Sequence, residues 1–191
     1  MNLSSLNTEI FEISHLSDCD LEDISSFTIK NPNGHGLEMY LKYSALADEK
    51  SGAARTYIIR DTMTHKIVAY FSLKTGLITA QTSLTTFDNL SAIELANFAV
   101  NDDYRMYNDV IPQVGKYIFY VFILPLAKEI SQYVGASYLY IFALPQNKLM
   151  AHYKTMGFKR FSKSTENFIH RHIRPNYDQG CIFMYQSIAD S

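Results

Sequence analysis

The sequence predicts an α+β fold, strands interleaved with helices, and three observations carry that reading. Apolar, β-branched and aromatic runs of about four to eight residues recur between stretches of helical periodicity. One long helical stripe extends from Gln113 to Val134. A strand pattern, Ile93-Glu94-Leu95-Ala96-Asn97-Phe98-Ala99-Val100, passes through a polar loop into Gln113-Val114-Gly115-Lys116, which opens that helix. With 191 residues, 47% of them hydrophobic, the chain is long enough to bury a core and reads as one domain over 1–191.

In chain order, alternation in Ile10-Phe11-Glu12-Ile13 predicts a first short strand. Asp18-Cys19-Asp20 starts a helix along Leu21, Ile24 and Phe27, which Asn31-Pro32-Asn33-Gly34 ends. Leu37, Tyr40, Leu41, Ser44 and Ala45 mark a second helix with Gly52 beyond its end. The runs Arg55–Arg60 and Lys66–Leu73 flank Asp61-Thr62-Met63-Thr64-His65, a polar turn suited to an antiparallel hairpin. After the strand around Glu94–Val100 comes a loop over Asn101–Pro112. In the long helix, Val114, Ile118, Val121, Phe122, Leu126, Ile130 and Val134 form the stripe, Pro125 bends it and Gly135 terminates it. A strand over Tyr138–Ala143, a helix over Asn147–Thr155 and two strands, Phe158–Phe161 and Cys181–Tyr185, complete the chain. Asn167–Gln179, rich in His, Arg, Asn and Pro, reads as a loop-like insertion.

Composition narrows the classes. A formal charge of −2 demands neither a nucleic-acid nor a membrane partner, yet the charges segregate. Residues 1–30 carry Glu9, Glu12, Asp18, Asp20, Glu22 and Asp23 against Lys30, whereas 148–174 carry Lys148, Lys154, Lys159, Arg160, Lys163, Arg171 and Arg174 against Glu166. Cys19 and Cys181 form neither a Cys-x-x-Cys ligand pair nor a disulfide framework, so reduced, structural cysteines and a cytoplasmic protein are expected. The start Met1-Asn2-Leu3-Ser4-Ser5 lacks a signal-peptide pattern, and the longest apolar stretch, Tyr117–Ala127, is too short for a membrane span. His170 and His172 could share a strand face as a metal pair, but no further ligand completes a set, and no metal is expected.

A strand leading to a glycine at a helix N-terminus suits phosphate, because unpaired amides and the helix dipole converge there. With the downstream run Tyr138-Leu139-Tyr140-Ile141-Phe142-Ala143 and the segment Ala151-His152-Tyr153-Lys154-Thr155-Met156-Gly157-Phe158, the chain resembles the Gcn5-related N-acetyltransferase (GNAT) superfamily over roughly 24–185. The resemblance implies a mixed, mostly antiparallel sheet whose strands 4 and 5 splay apart to admit the pantetheine arm of acetyl-CoA.

On that resemblance, Phe98 and Val100 offer backbone groups to the cofactor and Gln113, Val114, Gly115, Lys116 and Tyr117 wrap its pyrophosphate, with Asn147 also on the cofactor side. Gly115 matches the second glycine of the family's Arg/Gln-x-x-Gly-x-Gly/Ala motif. The chain departs from the pattern at Gln113, which stands at the first glycine, and at Val110, which stands at the Arg or Gln. Taking Gly115 as the first glycine instead puts Pro112 and Tyr117 at the outer positions. Arg105 is then the candidate for the displaced basic residue.

Tyr153, four residues before Gly157, matches the tyrosine that protonates the departing thiolate in many members. Glu94 shares strand parity with Phe98 and Val100 and matches the glutamate that takes a proton from the amine in the histone-acetylating branch. The implied activity is acetyl transfer from acetyl-CoA to a primary amine of a small molecule or peptide, with a homodimer compatible. Leu41–Asp48, Ala54-Arg55-Thr56-Tyr57 and Val68–Leu73 are similar to the toxin branch that acetylates aminoacyl-tRNA, so tRNA is the alternative acceptor. A non-catalytic acyl-CoA-binding or interaction protein with a degenerate cofactor loop is the third reading.

Overall fold

Seven strands follow the alternation and turn signals of the chain: β1 (Phe11–His15), β2 (Arg55–Asp61), β3 (Ile67–Gln81), β4 (Phe87–Val100), β5 (Tyr138–Ala143), β6 (Lys159–Arg160) and β7 (Ile182–Ser187). The structure is a computed structural model. It describes residues 2–16, 21–81, 86–107, 111–172 and 180–188, with the side chains of these save Ala80, Gln81, Phe87, Tyr107 and 168–172. The sheet order is β1-β2-β3-β4-β5-β7-β6. Pairs β1–β2, β2–β3, β5–β7 and β6–β7 are antiparallel, and β4–β5 is parallel. A parallel neighbour needs a long crossover, and the helical segment 114–134 supplies it. The chain falls into two compact units, each assembled from two stretches of sequence: Met1–Lys74 with Leu95–Pro125, and Thr75–Glu94 with Leu126–Ser191.

In the first unit three α-helices among the described residues, not the two helices expected, separate β1 from β2: α1 (Leu21–Ser25), α2 (His35–Tyr43) and α3 (Ala45–Ser51). The expected first helix stops early, at Ser25, and Ser44 divides the second. Gly52 closes α3 at φ 75°, a left-handed position that costs glycine little. The apolar faces meet in a cluster of Leu16, Ile24, Phe27, Leu41, Ala45, Ile58, Ile67, Tyr70 and Ala99. Tyr70 is admitted to it because its hydroxyl donates to the Leu37 carbonyl. In the β2–β3 turn Asp61 Oδ1 accepts from the Met63 and Thr64 amides and the Thr64 hydroxyl, which holds the turn without a glycine. The loop expected over Asn101–Pro112 contains a short helix, α4 (Asp102–Tyr107), started by Asn101, whose side chain accepts from the Asp103 amide.

The crossover begins as α5 (Val114–Ile118), passes through a π-helical turn over Phe119–Ile123 and continues as α6 (Leu124–Val134). Pro125 explains the turn. It has no N–H for the Val121 carbonyl and its ring crowds the preceding turn, so the helix widens there and the Leu124 amide reaches back to the Phe119 carbonyl.

The second unit holds β5, β7 and β6 with the 75–94 portion of β3 and β4, together with α7 (Asn147–Thr155) and α8 (Lys163–His172). Ile78, Ala92, Tyr140 and Phe183 form its buried cluster, with Phe142, Phe161 and Tyr185 packed against it. Ring stacking between Phe161 and Tyr185, 4.2 Å apart, joins the segment after β6 to β7. The loop expected over Asn167–Gln179 is overturned for its first part, because α8 runs to His172. Ser162 starts that helix, its hydroxyl accepting from the Thr165 amide. Cys19, Val110 and 173–179 lie outside the described residues, as do the side chains of His170 and His172. No helix among the described residues is long and apolar enough to cross a membrane.

Candidate functional site

In the first unit the site candidates gather where β4 ends and α5 begins. Phe98 and Val100 lie half-buried on β4, and Gly115 is the second residue of α5. A Cβ on Gly115 would meet Val100 Cγ2 at 3.5 Å and Phe98 Cζ at 3.9 Å, so the bare glycine faces the two strand residues that the sequence singles out. Gln113, the N-cap of α5, takes the left-handed conformation with φ 56° and ψ 47°. The backbone conformation a glycine would supply is therefore present at the position of the motif's first glycine, at the cost of about 1–2 kcal/mol for a residue with a Cβ. Its carbonyl accepts from the amides of Lys116 (2.8 Å) and Tyr117 (3.1 Å), which ties those two donors into the first turn. Val114 and Gly115 precede them, and their amides have no carbonyl four residues back inside the helix to accept them.

The other first-unit candidates have local partners. The Tyr117 ring stands edge-on to Phe11 at 5.8 Å. Arg105, exposed on α4, pairs with Asp102 at 3.4 Å, so part of its charge is answered within its own helix. Lys116 is half-buried in the last turn of α5.

The second unit holds Glu94, Asn147 and Tyr153. Asn147 is exposed at the first position of α7. Tyr153, in the last turn of α7, stands edge-on to Phe158 at 5.7 Å, and desolvation pushes its phenol up to about 12. It therefore keeps its proton throughout the neutral range. The helix closes at Gly157, φ 92°, where a Cβ would press on Gln186 Oε1 at 3.3 Å.

Glu94 is buried, 7% exposed, at the end of the parallel ladder Ala92↔Tyr138, Ile93↔Leu139, Glu94↔Tyr140. Its Oε2 accepts from the Tyr140 hydroxyl at 3.0 Å. Burial first, then the nearby carboxylate charge and the hydrogen bond, push the Tyr140 phenol far above its ordinary value, so it remains a donor. No local sequence pattern marks Tyr140 or Gly76, whose place on β3 lies against the Tyr140 hydroxyl and ring. The signal for both is register: once β4 and β5 are set parallel, Glu94 and Tyr140 are opposed.

Charge on the second unit is less basic than the tally along the chain. Arg160 grips buried Glu166 with two bonds, Nε to Oε1 at 2.8 Å and Nη2 to Oε2 at 2.7 Å. Lys148, Lys154, Lys159 and Lys163 are exposed and form no ion pair among the described residues.

No protein-family model and no curated protein matches the chain. Solved structures do. A mutant of the toxin AtaT bound to the C-terminus of the antitoxin AtaR and acetyl-CoA is 15% identical, with 94% of each chain covered and a TM-score of 0.68. A KacT mutant is 16% identical, covering 94% of this chain and 96% of that one, TM-score 0.68. AtaT complexed with acetyl-methionyl-tRNAfMet is 15% identical, covering 93% and 94%, TM-score 0.67. The fold of this chain is the GNAT fold, and its structural neighbours include the toxin AtaT with acetyl-CoA bound.

Proposed function

We propose that the protein transfers the acetyl group of acetyl-CoA to a primary amine by direct attack. One observation carries the reading: on the GNAT fold, the chain keeps the left-handed turn at Gln113 and a bare Gly115 beside Phe98 and Val100, although the glycine motif is incomplete. The cofactor residues are Phe98, Val100, Val114 and Gly115, the last two through their amides, with Lys116 and Arg105 adding charge and Gln113, Tyr117 and Asn147 shaping the surroundings.

Acetyl-CoA brings the activated thioester. The amine lone pair attacks the carbonyl carbon, a C–N bond forms and the C–S bond breaks, while a β4 amide near Phe98 or Val100 steadies the developing oxyanion. An amine arriving as ammonium sheds two protons. Glu94 takes one and passes it to water; the other replaces the proton that Tyr153 hands to the departing sulfur. The high pKa of Tyr153 does not oppose this role, because the same desolvation raises a thiol held beside it.

Aminoacyl-tRNA as the acetyl acceptor, through its amine, is the second reading. It is supported by a neighbour whose structure contains acetyl-methionyl-tRNAfMet and by the four exposed lysines of the second unit that form no ion pair among the described residues. The test is calorimetric titration with acetyl-CoA and CoA, followed by an acetyl-transfer screen over amines and aminoacyl-tRNA. Micromolar binding with transfer is expected. Binding without transfer to any acceptor would turn the reading to an acyl-CoA-binding protein, and no binding would remove both.

A further inference from the structure

The Glu94–Tyr140 bond joins two side chains that are almost wholly buried, at 7% and 5% exposure, in an otherwise apolar aromatic cluster. A carboxylate in such surroundings is costly, and an apolar pair of similar volume packs at least as well. Three strands nevertheless give way to this pair. β4 brings Glu94, β5 brings Tyr140 opposite it in register, and β3 brings a residue without a side chain at 76. A Cβ at Gly76 would overlap the Tyr140 hydroxyl oxygen, Cε1 and Cζ. The Tyr140 ring is fixed on its other sides by Phe183, stacked at 5.3 Å, and by Phe142, edge-on at 5.9 Å. Its hydroxyl is thus delivered to one place, and that place is Glu94 Oε2.

We propose that Tyr140 is a positioning residue for acetyl transfer: its hydroxyl holds the Glu94 carboxylate in one orientation and in its ionised form, and Gly76 is a glycine to make room for it. The inference rests on the reading above in which Glu94 receives the amine proton. A donated hydrogen bond favours the charged carboxylate, so the base is ready at a lower pH than burial alone would permit. Among the described residues, the titratable side chains next to the pair along its strands are Tyr138, two residues before Tyr140, and Tyr185, opposite Tyr140 in the β5–β7 register, with Lys74 two residues before Gly76 in the β3 sequence.

The experiment follows the Glu94 carboxyl carbon by NMR through a pH titration of the full chain, with Glu94→Gln assigning its resonance. It compares wild type, Tyr140→Phe and Tyr185→Phe. The pH profile of kcat/KM for acetyl transfer and the affinity for acetyl-CoA are measured alongside. In Tyr140→Phe the Glu94 midpoint is expected to rise by about one pH unit, the acid limb of kcat/KM to rise with it, and acetyl-CoA affinity to stay unchanged. Below that limb the variant then runs about tenfold slower than wild type, and Tyr185→Phe moves neither quantity.

Gly76→Ala, which displaces the hydroxyl while keeping the tyrosine, is the second variant and shifts the midpoint in the same direction. A Glu94 midpoint that stays in place in both variants overturns the role of Tyr140, whatever the activity. A midpoint that moves while the acid limb does not overturns it equally. If the midpoint moves and wild type acetylates no amine at all, the hold on Glu94 stands and the acetyltransferase reading falls.

Discussion

Tyr153 meets Phe158 edge to face, ring centroids 5.7 Å apart and planes at 76°, so the residue just past the end of α7 braces the phenol that the helix carries. The brace acts on the ring and leaves the hydroxyl unengaged by any described residue. Tyr153→Phe should therefore keep the packing, with a melting temperature within about 2 °C of wild type, and lose the proton donor. General-acid removal slows catalysis by about 10²–10⁴-fold. The expected result is a fall in kcat of at least about a hundredfold with unchanged acetyl-CoA affinity. A variant that retains full kcat would take Tyr153 out of the mechanism.

Gln113 and Gly115 should respond in opposite ways. Gln113→Gly relieves a left-handed residue at φ 56° and should stabilise the unliganded protein by about 0.5–1 kcal/mol, read as a higher denaturant midpoint. Gly115→Ala places its Cβ at ordinary contact distance from Val100, so the free protein should fold normally. The methyl group occupies the space an acyl-CoA phosphate would need, and CoA affinity should drop at least tenfold. Equal affinity in Gly115→Ala and wild type would argue against this loop as the pyrophosphate site.

Asp61 gives the fold an acid limit. Burial works to raise its pKa, but hydrogen bonds from the Tyr104 hydroxyl at 2.6 Å, from Thr64 and from the Met63 amide prevail and hold it below the usual carboxylate range. A depressed folded pKa means the stabilisation is complete above the unfolded value, about 3.9, and disappears as pH falls through the folded one. Tyr104→Phe should cost about 1.5–3 kcal/mol near neutrality and progressively less in acid. Chemical denaturation at pH 7 and pH 3 tests this; an equal loss at both would assign the effect to packing.

If aminoacyl-tRNA is the acceptor, lysines and Arg160 should contribute unequally. Lys159 is exposed and forms no ion pair among the described residues, whereas the guanidinium of Arg160, its neighbour in sequence, is engaged twice by Glu166. Lys159→Ala should weaken tRNA binding and reduce the salt slope of log K by about one contact, and Arg160→Ala should change that slope less. A larger slope change in Arg160→Ala would mean that Glu166 releases the arginine on binding.

The sequence announced elements wherever a local rule governs them. Gly52 and Gly135 end helices in left-handed conformations, at φ 75° and 66°, as their places after periodic runs suggested. Pro125 marked the irregularity in the crossover helix, although not its π form. The reading failed where pairing rather than local preference decides. β3 runs on to Gln81 and β4 begins at Phe87, through Lys74, Gly76, Asp88 and Asn89, residues that carry little strand preference alone and gain it from a neighbouring strand. Asn101 before two aspartates and Ser162 four residues before Glu166 were readable helix starts that the polar character of their segments concealed. Tyr140 could not be found by any local pattern, because its meaning lies in a register with a residue 46 positions away.

The order of strands also fixes when this protein can become itself during synthesis. β6 registers with β7 alone among the described strands, and β7 also completes the antiparallel flank of β5. A growing chain can bring β4 and β5 side by side as soon as Ala143 has left the ribosome, but Lys159 and Arg160 then wait for Tyr185 and Met184. At about 5–20 residues per second the delay is a few seconds, during which the half bearing Tyr153 has no finished edge. A ribosome stalled before Ile182 would thus display a nascent chain in which β5 lacks its antiparallel neighbour and β6 has no strand to join.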